Sequence, residues 1–306
     1  MKKTTFLILF SLMLVACQRP VNDQENIEDI PPKISQTEPI PQEIDDWPPE
    51  KDEPYIILNQ DGTTIETRYN PPKGFSRIDI DEDSFGQFLR GQELKAYGEK
   101  ALYYDGRPKS PEGIYDSVID VDIGDRDLHQ CADAIMLLRA EYLYKYERYD
   151  EIQFNFVNGF LANYDNWMSG YRIQVNDNET KWVDQAEPST DYESFRKYMD
   201  MVFAYAGTLS LDKELDLVDI SDMKIGDVFI QGGSPGHAVI VVDMAENKEN
   251  DQIAFLLAQS YMPAQETQIL INRDDNEISP WYIMDSSRSL VTPEWEFQIN
   301  DLKRFP

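Results

Sequence analysis

The chain has 306 residues and a formal net charge of -29 at pH 7. So acidic a chain lacks the excess of Lys and Arg that phosphate contacts require, which argues against nucleic acid as a partner. It also argues against electrostatic docking on anionic lipid. Only two cysteines and two histidines are present, so any site built on these residue types has few possible members.

The N-terminal sequence predicts an exported protein. Residues 1–16 combine two lysines with the apolar run TTFLILFSLMLV, which is too short to span a bilayer and is typical of a secretory signal. The following LVAC resembles the lipobox of bacterial lipoproteins, and this resemblance implies cleavage before Cys17 and lipid attachment to it. The alternative is an ordinary signal peptide with a cysteine nearby. By resemblance to lipoprotein sorting in Gram-negative bacteria, Gln18 favours the outer membrane.

A tether and a single domain are expected after the signal. Residues 17–54 are Pro-rich, acidic and poor in apolar runs, so we expect an extended segment. Residues 55–306 are long enough for one domain. They open with a predicted hairpin around Asp61–Gly62. The run STDYESFRKYMDMVFAYAG predicts a helix with a Ser or Thr cap. Helices first and antiparallel strands later indicate an α+β fold.

Cys131 lies in DLHQCADAIMLLRAEYLY, at the predicted start of a helix. Asp127 and Gln130 predict a capping box there. The unsatisfied N–H groups and the dipole at a helix N-terminus favour a thiolate, the nucleophilic form of cysteine. With Cys17 lipidated, Cys131 has no cysteine partner. It is therefore either a functional thiol or a buried small hydrophobe, and the count of cysteines leaves both open.

A thiolate needs a base, and the two histidines differ in their suitability. His129 is two residues from Cys131, so on a helix the two side chains point to different faces. His237 follows the turn GGSPG and opens the strand-like run HAVIVVDMA. The alternative is a histidine that only caps a strand edge, which is the commoner role when such a histidine is taken alone. If IAFLLAQSY forms the next strand, Gln259 or Tyr261, which share one strand face, would orient the imidazole. A one-residue slip in the register would turn both to the other face.

The order of these motifs resembles papain-like peptidases and amidases of the NlpC and CHAP type. That resemblance implies an N-terminal helix carrying the nucleophile Cys131, packed on an antiparallel sheet that carries the base His237 and the orienting Gln259. We expect the backbone N–H of Cys131 and the Gln130 side chain to stabilise the oxyanion. The chain departs from the pattern at QCADA, where the families have CSG or similar, and in using Gln as the third residue.

A second resemblance covers nearly the whole domain. The segments PPKGFSR, QCADAIMLLRAEYLY, YAGTLSL and IGDVFIQGGSPGHAVIVVDMA resemble an uncharacterised family of bacterial lipoproteins found largely in Bacteroidetes-like organisms. This resemblance indicates family membership and names no activity.

Neither a metal nor a cofactor is expected. The acidic run VIDVDIGDRD places glycine fifth, where a calcium-binding EF-hand loop needs it sixth. A zinc site would need three or four ligands, and Cys131, His129 and His237 are nearly all that the chain offers. The aromatic segments around Trp281 and Trp295 predict either core packing or a groove for sugar or peptide.

The functional hypothesis is a cysteine peptidase or amidase, a hydrolase, in the cell envelope. Lipid on Cys17 would anchor it to the membrane, and location makes peptidoglycan stem peptides the expected substrate. The alternative is a catalytically inactive papain-like fold that binds an envelope peptide or glycan or acts as a scaffold. The sequence is silent on the oligomeric state.

Overall fold

The computed structural model describes residues 55–177 and 179–306. The predicted signal segment, Cys17 and the tether up to residue 54 lie outside the described residues. Within them the protein is a mixed α and β structure with a large antiparallel sheet, as the sequence predicted. None of the helices in these ranges is long and apolar enough to cross a membrane.

The helices and strands of the described ranges are as follows. The α-helices are α1 Ile65–Arg68, α2 Phe85–Arg90, α3 Cys131–Lys145, α4 Tyr164–Met168, α5 Tyr192–Tyr205 and α6 Thr208–Glu214. The strands are β1 Ser76–Arg77, β2 Tyr115–Val118, β3 Gln153–Asn155, β4 Leu161–Asn163, β5 Tyr171–Asn176, β6 Glu179–Asp184, β7 Asp216–Leu217, β8 Val228–Gln231, β9 His237–Asn247, β10 Gln252–Gln259, β11 Gln268–Leu270, β12 Tyr282–Ile283, β13 Leu290–Val291, β14 Glu296–Phe297 and β15 Leu302–Arg304.

The main sheet has the strand order β2-β11-β10-β9-β8-β15-β7, with β1 also pairing β9 and β12 also pairing β10. Helix α3 packs on β9 and β10. Strands β9 and β10 are antiparallel, and Ala258 pairs with Ile240. Because side chains alternate along each strand, this register puts Gln259 on the same face of the sheet as His237.

Strand β9 forms the centre of the core. Its first nine residues are all buried, which explains the nearly continuous apolar run. Asp243 is the charged residue within this buried stretch. Its carboxylate accepts from Nε of Arg77 and from Nε of Arg90, each at 2.7 Å. Removing one partner of a buried ion pair typically costs about 3–5 kcal/mol. The two arginines therefore fix β1 and α2 on the central strand that carries His237.

The predicted hairpin around Asp61–Gly62 is wrong. Leu58 does pair with Tyr69, but the chain between them forms helix α1 rather than a second strand. Thr64 caps this helix by accepting from the N–H of Thr67 at 3.2 Å. The predicted cap of α5 is also wrong, because Asp191, rather than Ser189 or Thr190, accepts from the N–H of Ser194 at 2.7 Å.

Candidate active site

Helix α3 begins at Cys131, and the residues around its first turn fix the position of the thiol. Gln130 directly precedes the helix, and its N–H donates to Oδ2 of Asp133 at 3.0 Å. Asp127, predicted as the cap, instead accepts from the N–H of Ala264 at 2.7 Å and from the Gln130 side chain at 3.1 Å. Asp127 thus joins the start of the helix to the segment that follows β10, rather than capping it.

The thiol of Cys131 is free and buried. The backbone N–H groups of Cys131, Ala132 and Ala238 lie near the sulfur and favour the thiolate. Burial acts in the opposite direction and is the largest effect. Together with the nearby carboxyl of Asp133, burial raises the pKa of the Cys131 thiol to about 11. The thiol is therefore protonated at neutral pH, even though a helix N-terminus by itself lowers a thiol pKa.

His237 is the first residue of β9, and it adjoins Ala238, whose N–H lies near the sulfur of Cys131. The preceding turn closes tightly, because a Cβ on Gly236 would lie 2.6 Å from both the carbonyl oxygen of Gly233 and Oγ1 of Thr208. Burial lowers the pKa of His237 to about 4, opposed by the hydrogen bond to Gln259 and assisted by the charge of Lys109. The imidazole is therefore neutral at neutral pH.

A chain of polar contacts leads from His237 to a partly buried ion pair. Nε2 of His237 lies 2.9 Å from Oε1 of Gln259. Nε2 of Gln259 donates to Oε2 of Glu294 at 2.6 Å. The same carboxylate oxygen accepts from Nζ of Lys109 at 2.7 Å. All three contacts fall within hydrogen-bonding distance, so the imidazole is held through Gln259 by a charged pair.

Aromatic rings surround the imidazole. The ring centroids of Tyr261, Trp295 and Phe297 lie 4.7, 5.4 and 5.9 Å from that of His237. Tyr261 and Gln259 were the two alternatives for the orienting residue, and they contact the imidazole differently. Tyr261 packs its ring against it, whereas Gln259 places an oxygen at its Nε2.

Cys131 and His237 line one cavity of about 460 Å³. This volume lies in the range of small-molecule sites, roughly 300–1,000 Å³. The cavity is lined by Gln130, Cys131, Ala132, Asp133, Val157, Phe203, Ala206, Gly207, Thr208, Leu209, Gly233, Ser234, Pro235, Gly236, His237, Tyr261, Met262 and Trp295. The structure thus brings Gln130, Cys131 and His237 to one opening, with Gln259 directly behind His237.

Three charged residues of this site were not found from the sequence. Asp133 lies in QCADA, where it was seen only as a departure from a familiar pattern. Lys109 and Glu294 are separated by 185 positions, and nothing in the sequence pairs them. Trp295, predicted as core or groove, lines the cavity, whereas Trp281 is fully buried and its Nε1 donates to the carbonyl oxygen of Asn70 at 2.9 Å.

Among the described residues, no group of three or more His, Cys, Asp or Glu side chains could hold a metal ion. The acidic run from Asp120 to Asp127 is part of that described region.

Comparison with known proteins gives one match. A family model described as a domain of unknown function, DUF4846, matches residues 65–304. No curated protein and no solved structure gives a significant match. The matched range begins at α1 and ends in β15, so it includes every residue of the candidate site. Because the match covers well over half of the chain, this protein belongs to the DUF4846 family.

Proposed function

We propose that this protein is a cysteine peptidase or amidase with a papain-like arrangement of catalytic groups. The observation that carries the proposal is that Cys131 and His237 line the same cavity, while Nε2 of the imidazole is bound by Gln259. A nucleophile, a base and a group that orients the base are the parts that covalent amide hydrolysis requires.

The hydrogen bonds of His237 support Nδ1 as the nitrogen that would act as the base. The Glu294 carboxylate, paired with Lys109, can only accept, so the side-chain NH₂ of Gln259 must face it. The amide oxygen of Gln259 then faces His237, whose Nε2 must carry a proton. This leaves Nδ1 with the lone pair. In the proposed mechanism Nδ1 accepts the thiol proton.

The proposed reaction has two halves. The sulfur of Cys131 attacks the substrate carbonyl as its proton passes to Nδ1 of His237. His237 then gives this proton to the leaving amine, the C–N bond breaks and a thioester remains. Water, deprotonated by His237, attacks the thioester. The acid leaves, and the proton returns to the sulfur.

The oxyanion that forms in each half needs hydrogen-bond donors. The backbone N–H of Cys131 belongs to the first turn of α3, where the peptide dipoles favour negative charge. The Gln130 side chain lines the same cavity, and its amide group has a second N–H besides the one donated to Asp127. We propose these two groups as the oxyanion donors.

For the biological setting, we propose a lipoprotein of the cell envelope, anchored by lipid on Cys17 to the outer membrane of a Gram-negative bacterium. The signal sequence and its resemblance to a lipobox support this location. Peptidoglycan stem peptides are the amide substrates that such a location supplies.

The test uses the full chain and a mixture of peptidoglycan fragments. We expect new amine and carboxyl termini to appear, detected by mass spectrometry, with the wild type and not with Cys131→Ala or His237→Ala. Trapping of the thioester on Cys131 at low pH would show the covalent step directly. Hydrolysis that survives Cys131→Ala would overturn the proposed nucleophile.

The alternative is a papain-like module that binds a peptide or glycan without cleaving it. The observation in its favour is the resting protonation state, because a thiol with a pKa of about 11 beside an imidazole with a pKa of about 4 does not form an ion pair. A protein that binds peptidoglycan fragments equally well with and without Cys131, and cleaves none, would establish this alternative.

A further inference from the structure

The cavity that contains Cys131 has an exposed apolar rim. Val157 is 50% exposed, Leu209 39% and Met262 60%, and all three line this cavity. Single exposed apolar residues need no explanation, but a cluster around a concave opening marks a place where another apolar group binds.

The same cavity has no cation with which to bind a carboxylate. Of the residues that line it, none is Lys or Arg, and Asp133 is the only acidic one. Asp133 is buried, and its Oδ1 has no hydrogen-bond partner among the described residues. The charge of Lys109 lowers the pKa of His237, but the Lys109 side chain is only 1% exposed and is paired with Glu294. The chain as a whole carries a net charge of -29.

We infer that this cavity selects substrates with an uncharged, apolar side chain on the acyl side of the scissile bond and rejects those with a carboxylate there. The inference rests on the proposed function and names its substrate class. An apolar side chain would cover the exposed rim, which is favourable. A carboxylate would lose its hydration without gaining a partner and would lie near the Asp133 carboxyl. A stem peptide would therefore present an alanine at this position rather than a residue that bears a carboxylate.

Two chloromethyl ketones that differ at one side chain test this inference. Acetyl-Ala-Leu-chloromethyl ketone and acetyl-Ala-Glu-chloromethyl ketone place leucine or glutamate at the acyl position. In the reaction the sulfur of Cys131 displaces chloride, and His237 takes the thiol proton. The second-order rate constant is followed on the full chain by intact mass. We expect the leucine reagent to react at least about tenfold faster, the scale of a side chain matched to an apolar pocket.

A pair of exposed substitutions controls for long-range charge. Met262→Lys adds a cation at the rim of the cavity, whereas Leu217→Lys adds one at a residue that is 73% exposed and does not line the cavity. We expect Met262→Lys to reduce the ratio of the leucine rate to the glutamate rate several-fold, about the effect of one local ion pair. Leu217→Lys should leave this ratio close to the wild-type value.

The outcomes separate this inference from the proposed function. Rates that require His237 but are equal for the two reagents, or faster with glutamate, overturn the inference and leave the cysteine chemistry standing. An equal response to Met262→Lys and Leu217→Lys also overturns the inference, because the preference would then come from overall charge. If neither reagent reacts faster than iodoacetamide, both the proposed function and the inference fail.

Discussion

The two histidines of the chain are both buried, but they have different neighbours. His129 contacts Oγ1 of Thr267 through Nε2 at 3.0 Å, packs against Phe203, and has no partner for Nδ1 among the described residues. Burial lowers its pKa to about 3. His237 differs in lining the cavity and in contacting Gln259. Proximity to Cys131 in the sequence therefore does not identify the histidine that shares its cavity, because the histidine two positions away belongs to the core.

The largest expected effect is the loss of His237, the proposed base. In His237→Ala we expect alkylation of Cys131 by the leucine chloromethyl ketone to slow about 100-fold or more at neutral pH, the usual contribution of a general base. His129→Gln should keep this rate within about threefold, because His129 does not line the cavity, and should instead lower stability by about 1–3 kcal/mol. Denaturant unfolding of both variants checks that each is folded. Equal losses of rate in the two variants would contradict the assignment of His237 as the base.

Acid should destabilise the protein through both histidines. Their folded pKa values, about 3 and about 4, lie below the ordinary value of 6.5, so the unfolded chain binds more protons as the pH falls. The stability that they provide is complete above about pH 6.5 and is lost progressively below it. Between about pH 7 and pH 5 we expect the two histidines together to lower the free energy of unfolding by roughly 4 kcal/mol.

The histidine-free chain is the control for that acid effect. The sequence contains no other histidine, so His129→Gln/His237→Gln removes the whole histidine contribution and leaves that of the carboxyl groups. Unfolding free energies from urea titrations at both pH values give the comparison. If the double variant loses as much stability as the wild type between these pH values, the histidines do not cause the acid effect. Folding would then leave their pKa values unchanged.

The polar chain behind His237 should matter less than His237 itself. Gln259→Ala leaves Nε2 of His237 and the Glu294 carboxylate without their shared partner, so we expect about a tenfold slower alkylation and a loss of roughly 1–3 kcal/mol. Gln268 is a matched control, because it pairs with Gln259 across β10 and β11 and is also fully buried. Its amide donates to Gln265 and Glu266, so Gln268→Ala should lower stability without slowing alkylation.

The order of the predicted elements, with strand-like runs separated by turn residues after the helices, predicted the large antiparallel sheet. The polar contacts that link His237 through Gln259 to Lys109 and Glu294 could not be predicted from the sequence. Lys109 and Glu294 meet because distant segments converge behind β9 and β10, and no local pattern records such a convergence. The hairpin around Asp61–Gly62 failed because the side chain of Thr64 stabilised a helix where turn residues indicated a strand pair. The raised thiol pKa depends on burial, which a sequence does not give.

The smallest expected effect concerns Asp133. It tests whether His237 is the only side chain that accepts the proton of the Cys131 thiol. The Asp133 carboxyl raises the pKa of Cys131, and burial raises its own pKa well above the usual range, so its charge acts only at pH values where it is ionised. In Asp133→Asn we therefore expect the thiol pKa to fall and alkylation by iodoacetamide to become faster above neutral pH. Glu141→Gln, on the same helix but bonded to Tyr192, should leave the profile unchanged. Slower alkylation in Asp133→Asn would mean that this carboxylate accepts the thiol proton, and His237 would then lose its role as the only base at the site.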